Sequence, residues 1–383
     1  MMGTGRTAPQ TVSTDAPQPA GDSAPRTAGV TIFDRYVVRA ILSGTGLFMA
    51  VLLAIAVLVT FIGEQGDVGQ GRYTAASAFW YSLMNLPQQA WELLPIGALI
   101  GSLLGLGQLA RGSELIVFRA SGVSIARIAG AALIAGVVLI ALEVLVGELL
   151  APPLVEAAKQ EKAFERFSNV SFGAGGAWVR DGDLILDAER LSGTRQIGGL
   201  LVFRLSPDHR LLAIGRAASA SVGRNGRWVL RDYRESRFAA DRVVTGAAST
   251  RTLASHVTGA FLGLAAAAPQ DLAASALWTV IQYDRTNALD ASAYVFAFWS
   301  RIARTIAIVF AVLLAVPFVL GALRSAGAGS RMAVGLLIGV ALFLLQRLIE
   351  SGTVVFALDP VVLAWLPTSL LAAVSLVLLA RAR

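Results

Sequence analysis

Three arginines, Arg301, Arg304 and Arg347, and one glutamate, Glu143, stand in apolar surroundings in this 383-residue chain, with Glu148 and Glu350 close by. If the flanking apolar runs are membrane-crossing helices, a rise of about 1.5 Å per residue puts the first four at one depth, near a headgroup level. Ionisable groups at such a depth mark functional sites by default. A guanidinium pairs well with phosphate, so these arginines suit an anionic lipid headgroup. The competing reading is mutual Arg/Glu pairing or snorkelling of the arginine stems.

A second constellation is the segment RGSELIVFRASGVS, Arg111 to Ser124. Ser113 suits a helix N-cap and Gly122 a helix stop, which predicts a helix over Glu114 to Ser121, about 12 Å long. Leu115, Ile116 and Phe118 would project from it, flanked by Glu114 and Arg119, with Ala120 and Gly122 at its end. Such a helix fits a groove on a partner protein or lies flat on a bilayer surface.

Other chemistries find no support. The only lysines, Lys159 and Lys162, precede Gln160 and Ala163, so no phosphate-binding loop ending Gly-Lys-Ser/Thr exists. Gly105 to Ala110 spells a dinucleotide fingerprint but lies inside an apolar helical run, where the motif's strand is missing. His209 and His256 have no metal-ligand cluster around them, and there are no cysteines. No acid/base pair sits at workable spacing in the apolar runs. An enzyme, a cofactor and a metal are therefore not expected.

The elements that must position these residues are membrane helices. Hydrophobic residues make up 55% of the chain and charged ones 15%, against about 25% charged in soluble domains. Five apolar runs reach the roughly 20 residues needed to span a bilayer: Ala40 to Ile62, Leu93 to Ala110, Ile128 to Leu150, Thr305 to Leu323 and Val361 to Ala380. A sixth, Met332 to about Phe356, is interrupted by Gln346, Arg347 and Glu350. Arg35, Arg39, Arg111, Arg119, Arg127, Arg324, Arg331, Arg381 and Arg383 fall on one face, whereas the short loops opposite hold only Arg72. The positive-inside rule then makes both termini cytoplasmic. The formal charge of +7 is topological, and its arginines are too dispersed for nucleic acid.

Domains follow from composition: a Pro- and Thr-rich disordered tail, 1–29; three spans, 30–151, with the loop helix at 113–122; an extracytoplasmic module, 152–290; and three more spans, 291–383. The module opens with a charged helical stretch and continues as short alternating runs broken by Gly, Asp and Asn, the pattern of an antiparallel sandwich or jellyroll. Gly97, Gly101 and Gly105 form a stripe at four-residue spacing, and Gly335 and Gly339 repeat it. Small-xxx-small stripes let helices approach closely, either within the chain or at a moving seam with a partner. The fold class is thus an α-helical membrane bundle of six helices with an inserted antiparallel β domain.

The stretch from Gly69 to Ser124, containing LPIGALIGSLLGLGQLA and SELIVFRASGVS, resembles the LptF/LptG (YjgP/YjgQ) permeases of the lipopolysaccharide export system, and the LptG branch in particular. VTIFDRYVVRAIL, FWSRIARTIAIVFAVLLAVPFVLGALRS and the C-terminal ALDPVVLAWLP are similar as well. The resemblance implies a six-helix inner-membrane permease with a periplasmic β-jellyroll. It further implies an LptF-like partner, a dimeric LptB-like ATPase, and transfer of lipopolysaccharide from the periplasmic leaflet to LptC and LptA jellyroll proteins. Glu114 to Ser121 would be the coupling helix in the ATPase groove, and spans one and five would line a lateral gate. One departure is the outer end of span one, Glu64 to Asp67, acidic where the family can be basic. Arg72, Arg301, Arg304 and Arg347 therefore stand as the candidate headgroup contacts. A membrane-anchored scaffold or sensor that presents its β module to partner proteins is the alternative.

Overall fold

The computed structural model describes residues 32–166, 177–192, 196–208, 210–222, 227–239, 241–255, 257–320, 327–352 and 358–382. The tail at 1–29, His209, His256, Arg324 and Arg383 lie outside the described residues, and of Arg331, Arg347 and Glu350 only the backbone is described. The helices are α1 (Ile32–Glu64), α2 (Ala75–Met84), α3 (Leu86–Arg111), α4 (Glu114–Ala120), α5 (Ile125–Val144), α6 (Ala151–Arg166), α7 (Gly259–Ala266), α8 (Ala274–Thr286), α9 (Ser292–Leu320), α10 (Ala328–Gly352) and α11 (Pro360–Arg381). Among the described residues five helical runs are long and apolar enough to cross a membrane: Ile32–Asp67, Leu86–Arg111, Ile125–Arg166, Ser292–Leu320 and Pro360–Arg381. The 25-residue α10 coincides with the interrupted sixth run.

Helix α3 starts seven residues before its apolar run because its polar first turns find partners. The Gln89 amide donates to Thr60 on α1 (2.6 Å), and that of Gln88 donates to Glu92 (3.1 Å) and to the Gln270 carbonyl (3.4 Å). A hydropathy window cannot register such turns, since it scores polarity and not satisfaction. Helices α3 and α9 form the centre of the bundle. Their buried faces share one core with α1 and α5, in which Ile41, Leu99, Leu103, Ile128, Ile308 and Val312 are fully enclosed.

The glycine stripe is an intrachain seam. A Cβ at Gly101 would lie 2.2 Å from the Thr45 Cα, one at Gly105 2.2 Å from the Ala40 carbonyl oxygen, and one at Gly97 2.2 Å from the Met49 sulfur. Backbones of α1 and α3 thus run antiparallel in direct contact, with Gly44 completing the approach from α1 at 2.4 Å from the Gly101 carbonyl. Gly335 and Gly339 of α10 face Leu103, Ile100 and Ile96 of α3, where the neighbours are side chains that can yield. Both stripes thus have intrachain neighbours on α1 and α3.

Helices α5 and α6 are one rod of 42 residues, about 63 Å at 1.5 Å per residue and twice the hydrocarbon thickness of a bilayer. The joint between them is a turn of π-helix, Leu145–Leu150. Pro152 and Pro153 follow it after one residue, Ala151, and proline has no N–H to donate. The Ala151 N–H bonds to the Val146 carbonyl, five residues back, so the next acceptor, the Gly147 carbonyl, would need the N–H that Pro152 lacks.

Six strands follow α6: β1 (Ala177–Asp181), β2 (Leu184–Ser192), β3 (Gln196–Leu205), β4 (Leu211–Val222), β5 (Arg227–Phe238) and β6 (Val243–Ala254). Each pairs antiparallel with its sequence neighbour, in the order β1-β2-β3-β4-β5-β6. The expected antiparallel insert is present. Among the described residues its connectivity is a meander, each strand beside its sequence neighbours. Asp181 pairs with Leu184 across Gly182 (φ +60°) and Asp183, a two-residue hairpin in which glycine takes the left-handed position. The sheet buries Leu186, Ile197, Leu200, Trp228 and Leu230 in one cluster with Leu262 of α7, and the Trp228 indole donates to the Val257 carbonyl (3.0 Å). Edge strand β6 is exposed along most of its length.

Candidate functional site

Two clusters of functional side chains lie at opposite ends of the bundle. At the α4 end, α4 forms where the sequence predicts a loop helix, but it sits differently. Ser113 does not cap with its side chain. It adopts φ 59°, and its carbonyl accepts the N–H groups of Ile116 (3.1 Å) and Val117 (3.0 Å) instead. Gly122, at φ 95°, ends the helix in the left-handed conformation that favours glycine.

The apolar side chains of α4 are not all presented outward. Leu115 is buried in the bundle core, and Phe118 is half-buried with its ring edge-to-face on Phe33 (centroids 5.0 Å) and on Tyr36 (6.3 Å). Exposed instead are Ile116 and Val117, with Arg119, Ala120 and Gly122. Glu114 turns back to accept the Tyr36 hydroxyl at 2.6 Å. Beside it Arg127, at the start of α5, makes a two-pronged bond to Asp34 of α1 through Nε (3.1 Å) and Nη2 (2.9 Å). Helix α4 is therefore fastened to the first turns of α1 by a hydrogen bond and an aromatic triplet, leaving one apolar and cationic edge free.

At the sheet end, among the described side chains of the expected arginine quartet, Arg301 and Arg304 come together and Arg72 lies elsewhere. Arg301 is buried and points inward. Its Nε donates to Glu148 (2.8 Å), its Nη2 to the Gly147 carbonyl left open by the π-turn (2.6 Å), and its Nη1 to the Leu272 carbonyl (2.8 Å). The guanidinium also stacks over Trp91 at 4.2 Å from the ring centroid, so each nitrogen of Arg301 and one face of its plane are engaged within the chain. These contacts are those of the Arg/Glu pairing reading. Glu148 accepts in addition the Ala274 N–H at the start of α8 (2.8 Å). A carboxylate at a helix N-terminus is doubly favourable, satisfying an orphan N–H and facing the positive end of the dipole.

Arg304 is half-buried, 4.5 Å from the centroid of the same Trp91 ring, and lines a groove beside Ser300. Glu143 is buried in α5 within electrostatic reach of Arg304 and Arg301. Arg72 is exposed and belongs to a different place. Its backbone N–H donates to the Glu165 carbonyl (2.7 Å), 17 residues beyond Glu148 on the same rod and so about 25 Å away along the helix. Only Arg301 and Arg304 of the quartet are shown together, and Trp91, which joins them, carried no signal in the sequence beyond its aromaticity.

The acidic end of α1 has a partner of its own. The Lys162 ammonium of α6 bridges Glu64 (2.5 Å) and Asp67 (2.9 Å), and Arg166 reaches Asp67 at 3.1 Å. Tyr73 donates to Glu64 (2.9 Å), while Arg166 donates to Gln70 (2.5 Å). These acidic residues hold α1 to α6.

The profile of the lipopolysaccharide export system permeases LptF/LptG matches residues 35–381, nearly the whole chain. The chain belongs to the LptF/LptG family. Among its relatives, the lipopolysaccharide export system permease protein LptG of Escherichia coli K12 is 29% identical over 353 residues, covering 91% of this chain and 98% of the relative. The LptG protein of Haemophilus influenzae is 26% identical over 357 residues, covering 92% and 99%. The match runs through both the spans and the inserted β domain of this chain. In this chain the α4 cluster, the Trp91–Arg301 cluster and the Lys162–Glu64–Asp67 cluster each tie a span to an element beyond it.

Proposed function

We propose that this chain is the LptG-type permease subunit of an ATP-driven lipopolysaccharide exporter in the bacterial inner membrane, with both termini cytoplasmic and the β module periplasmic. In this reading the chain hydrolyses nothing itself. A dimeric LptB-like ATPase seats the α4 edge formed by Ile116, Val117, Arg119 and Ala120, and an LptF-like permease faces α1 and α10. The lipid leaves the periplasmic leaflet through the space between the two permeases and passes to the jellyroll proteins LptC and LptA.

The observation that carries the proposal is the attachment of α4 to α1. A thrust delivered to α4 is transmitted through Glu114–Tyr36 and Phe118–Phe33 to the cytoplasmic end of α1. The backbone contact at Gly44, Thr45, Gly101 and Gly105 then obliges α3 to follow. A motion at the ATPase is thus turned into tilting of a helix pair.

Arg119→Glu should abolish lipid-stimulated ATP hydrolysis in the assembled complex while the chain still inserts and assembles. Tyr36→Phe, which removes only the hydroxyl bonded to Glu114, should leave ATP hydrolysis in place but lower the lipid exported per ATP. Normal export by both variants in reconstituted vesicles would reject the coupling assignment.

A further inference from the structure

Helix α8 carries the chain from the β module back to the spans, and it is held along its length. Its first N–H, at Ala274, is bonded to Glu148, and Leu277 and Val280 share a cluster with Tyr294, Ala297 and Phe298 of α9. It ends in a Schellman motif. The Leu289 N–H donates to the Asp284 carbonyl (2.8 Å) and the Ala288 N–H to the Arg285 carbonyl (3.3 Å), the paired bonds of that helix stop. The residue turned left-handed there is Ala288, at φ 52°, where glycine is preferred because a Cβ strains the conformation.

Asp284 sits at this strained end. It is buried, although residues 288–290, which follow, are exposed. It lies in the last turn of α8, where the helix dipole is negative. Asp290 stands close enough to repel it and is itself fixed, its Oδ1 accepting the Ser292 N–H (2.9 Å) and the Ser292 hydroxyl. The other titratable groups within electrostatic reach are the phenols of Tyr283 on α8 and Tyr294 on α9. Tyr283 in turn donates to the Arg180 carbonyl of β1, beside Asp181. Among the described residues no hydrogen bond or ion pair reaches the Asp284 carboxyl, and burial raises it from the ordinary 3.8 to about 6, with Asp290 adding to the effect.

We propose that the joint between α8 and α9 is a proton-operated latch. With a proton on Asp284 the turn at 287–290 stays closed. When the proton leaves for water the turn opens, the carboxylate becomes hydrated and Ala288 gives up its left-handed conformation, so two unfavourable features are relieved by one motion. Only the end of α8 is freed, because Glu148 still holds its start. An acid whose closed-state value is raised closes most firmly below its ordinary value, weakens as pH climbs to the raised value and changes no further above it. The latch therefore loosens between about 4 and about 6. The inference goes beyond the transport proposal and holds whichever side of the membrane the module faces.

Hydrogen exchange of the amides in 284–292 tests it, read by mass spectrometry on the full-length chain in nanodiscs and corrected for the intrinsic rate at each pH. We expect the opening constant to rise about tenfold per pH unit between 4 and 6, up to about a hundredfold, and then to level off. Asp284→Asn should flatten that profile. Ala288→Gly should lower the opening constant about tenfold at every pH and keep the slope, which separates the strain from the proton. Amides of β3 serve as the reference and should show no step over the same range. A flat profile in the unaltered chain overturns the proposal, whether or not Asp284→Asn folds. So would an unchanged slope in Asp284→Asn, no added protection in Ala288→Gly, or opening of β3 in parallel, which would make the transition one of the whole module.

Discussion

Two alanine substitutions of the same chemistry should change stability in opposite directions. Gly46 and Gly101 are both helical and both lie in apolar segments, and each would gain one methyl group. Around Gly46 nothing lies within 4 Å of the new Cβ. Gly46→Ala should therefore show only the helix preference for alanine, a gain of about 0.5–1 kcal/mol. At Gly101 the methyl would be 2.2 Å from the Thr45 Cα and 2.5 Å from its nitrogen, where ordinary contact begins at 3.4 Å. Both atoms are backbone, so no rotamer change relieves the clash and α1 must move bodily. Overpacking of this kind costs about 1–3 kcal/mol, which outweighs the helix gain. Gly105→Ala meets the Ala40 carbonyl at 2.2 Å on the same seam, so once Gly101→Ala has parted the helices its added cost should be small, a coupling of about 0.5–3 kcal/mol. Equilibrium unfolding of the purified chain in mixed micelles, followed by far-ultraviolet circular dichroism, measures all four variants. A Gly101→Ala chain as stable as Gly46→Ala, or strictly additive losses at Gly101 and Gly105, would refute the rigid backbone seam between α1 and α3.

Further outcomes follow from the other clusters. Arg301→Gln should destabilise the chain by about 3–5 kcal/mol, because it leaves Glu148 without its charge partner, while Arg304→Gln should cost clearly less; the same unfolding experiment ranks them. Trp228→Phe removes the one bond to the Val257 carbonyl inside the β module and should lower its melting by an amount equal to about 1–3 kcal/mol, the cost of an unmet buried acceptor. Burial raises the Asp284 carboxyl to about 6, with Asp290 adding to it. A raised carboxylate costs stability above its folded value, so the chain should gain stability as pH falls through 6 towards 4, and Asp284→Asn should remove that gain in melting curves recorded across the range. Burial opposes ionisation of Glu235, yet hydrogen bonds from Arg251 and Arg237 prevail and hold its carboxyl below the usual range. Its stabilising contribution should persist at neutral pH and fade as pH falls below the ordinary glutamate value, and Glu235→Gln should flatten that acid limb.

The spans, the loop helix and the β insert were legible because each rests on a periodic or compositional signal. Apolar runs gave α1, α5, α9 and α11, and hairpin glycines such as Gly182 gave strand ends. What escaped was the direction in which polar groups turn. The depth of Arg301 was readable from its position in α9, but its inward orientation follows from the Gly147 carbonyl that Pro152 leaves without a donor, a constraint written on another helix. Leu115 and Phe118 were legible as an apolar face, yet that face closes on Phe33 and Tyr36, which lie 78 or more residues away in sequence. The acidic end of α1 read as an anomaly until Lys162 supplied its counter-charge. Contacts between distant segments are where a single sequence is silent, since nothing local marks them.

Of the 32 basic residues only Lys159 and Lys162 are lysines, both lie on α6, and both are engaged. Lys159 is bonded to Asp271, ahead of α8, and Lys162 to Glu64 and Asp67 at the end of α1. For amine-directed chemistry the folded chain is therefore almost blank. A carbodiimide that joins an amine to a touching carboxylate would find two places to act within the chain, and at each it would turn a reversible ion pair into an amide. One such bond fixes α1 to the rod that leads to the β module, and the other fixes that rod to the segment returning from it. The choice of arginine nearly everywhere else makes this permease one that can be stapled shut, at known positions, without altering a single residue.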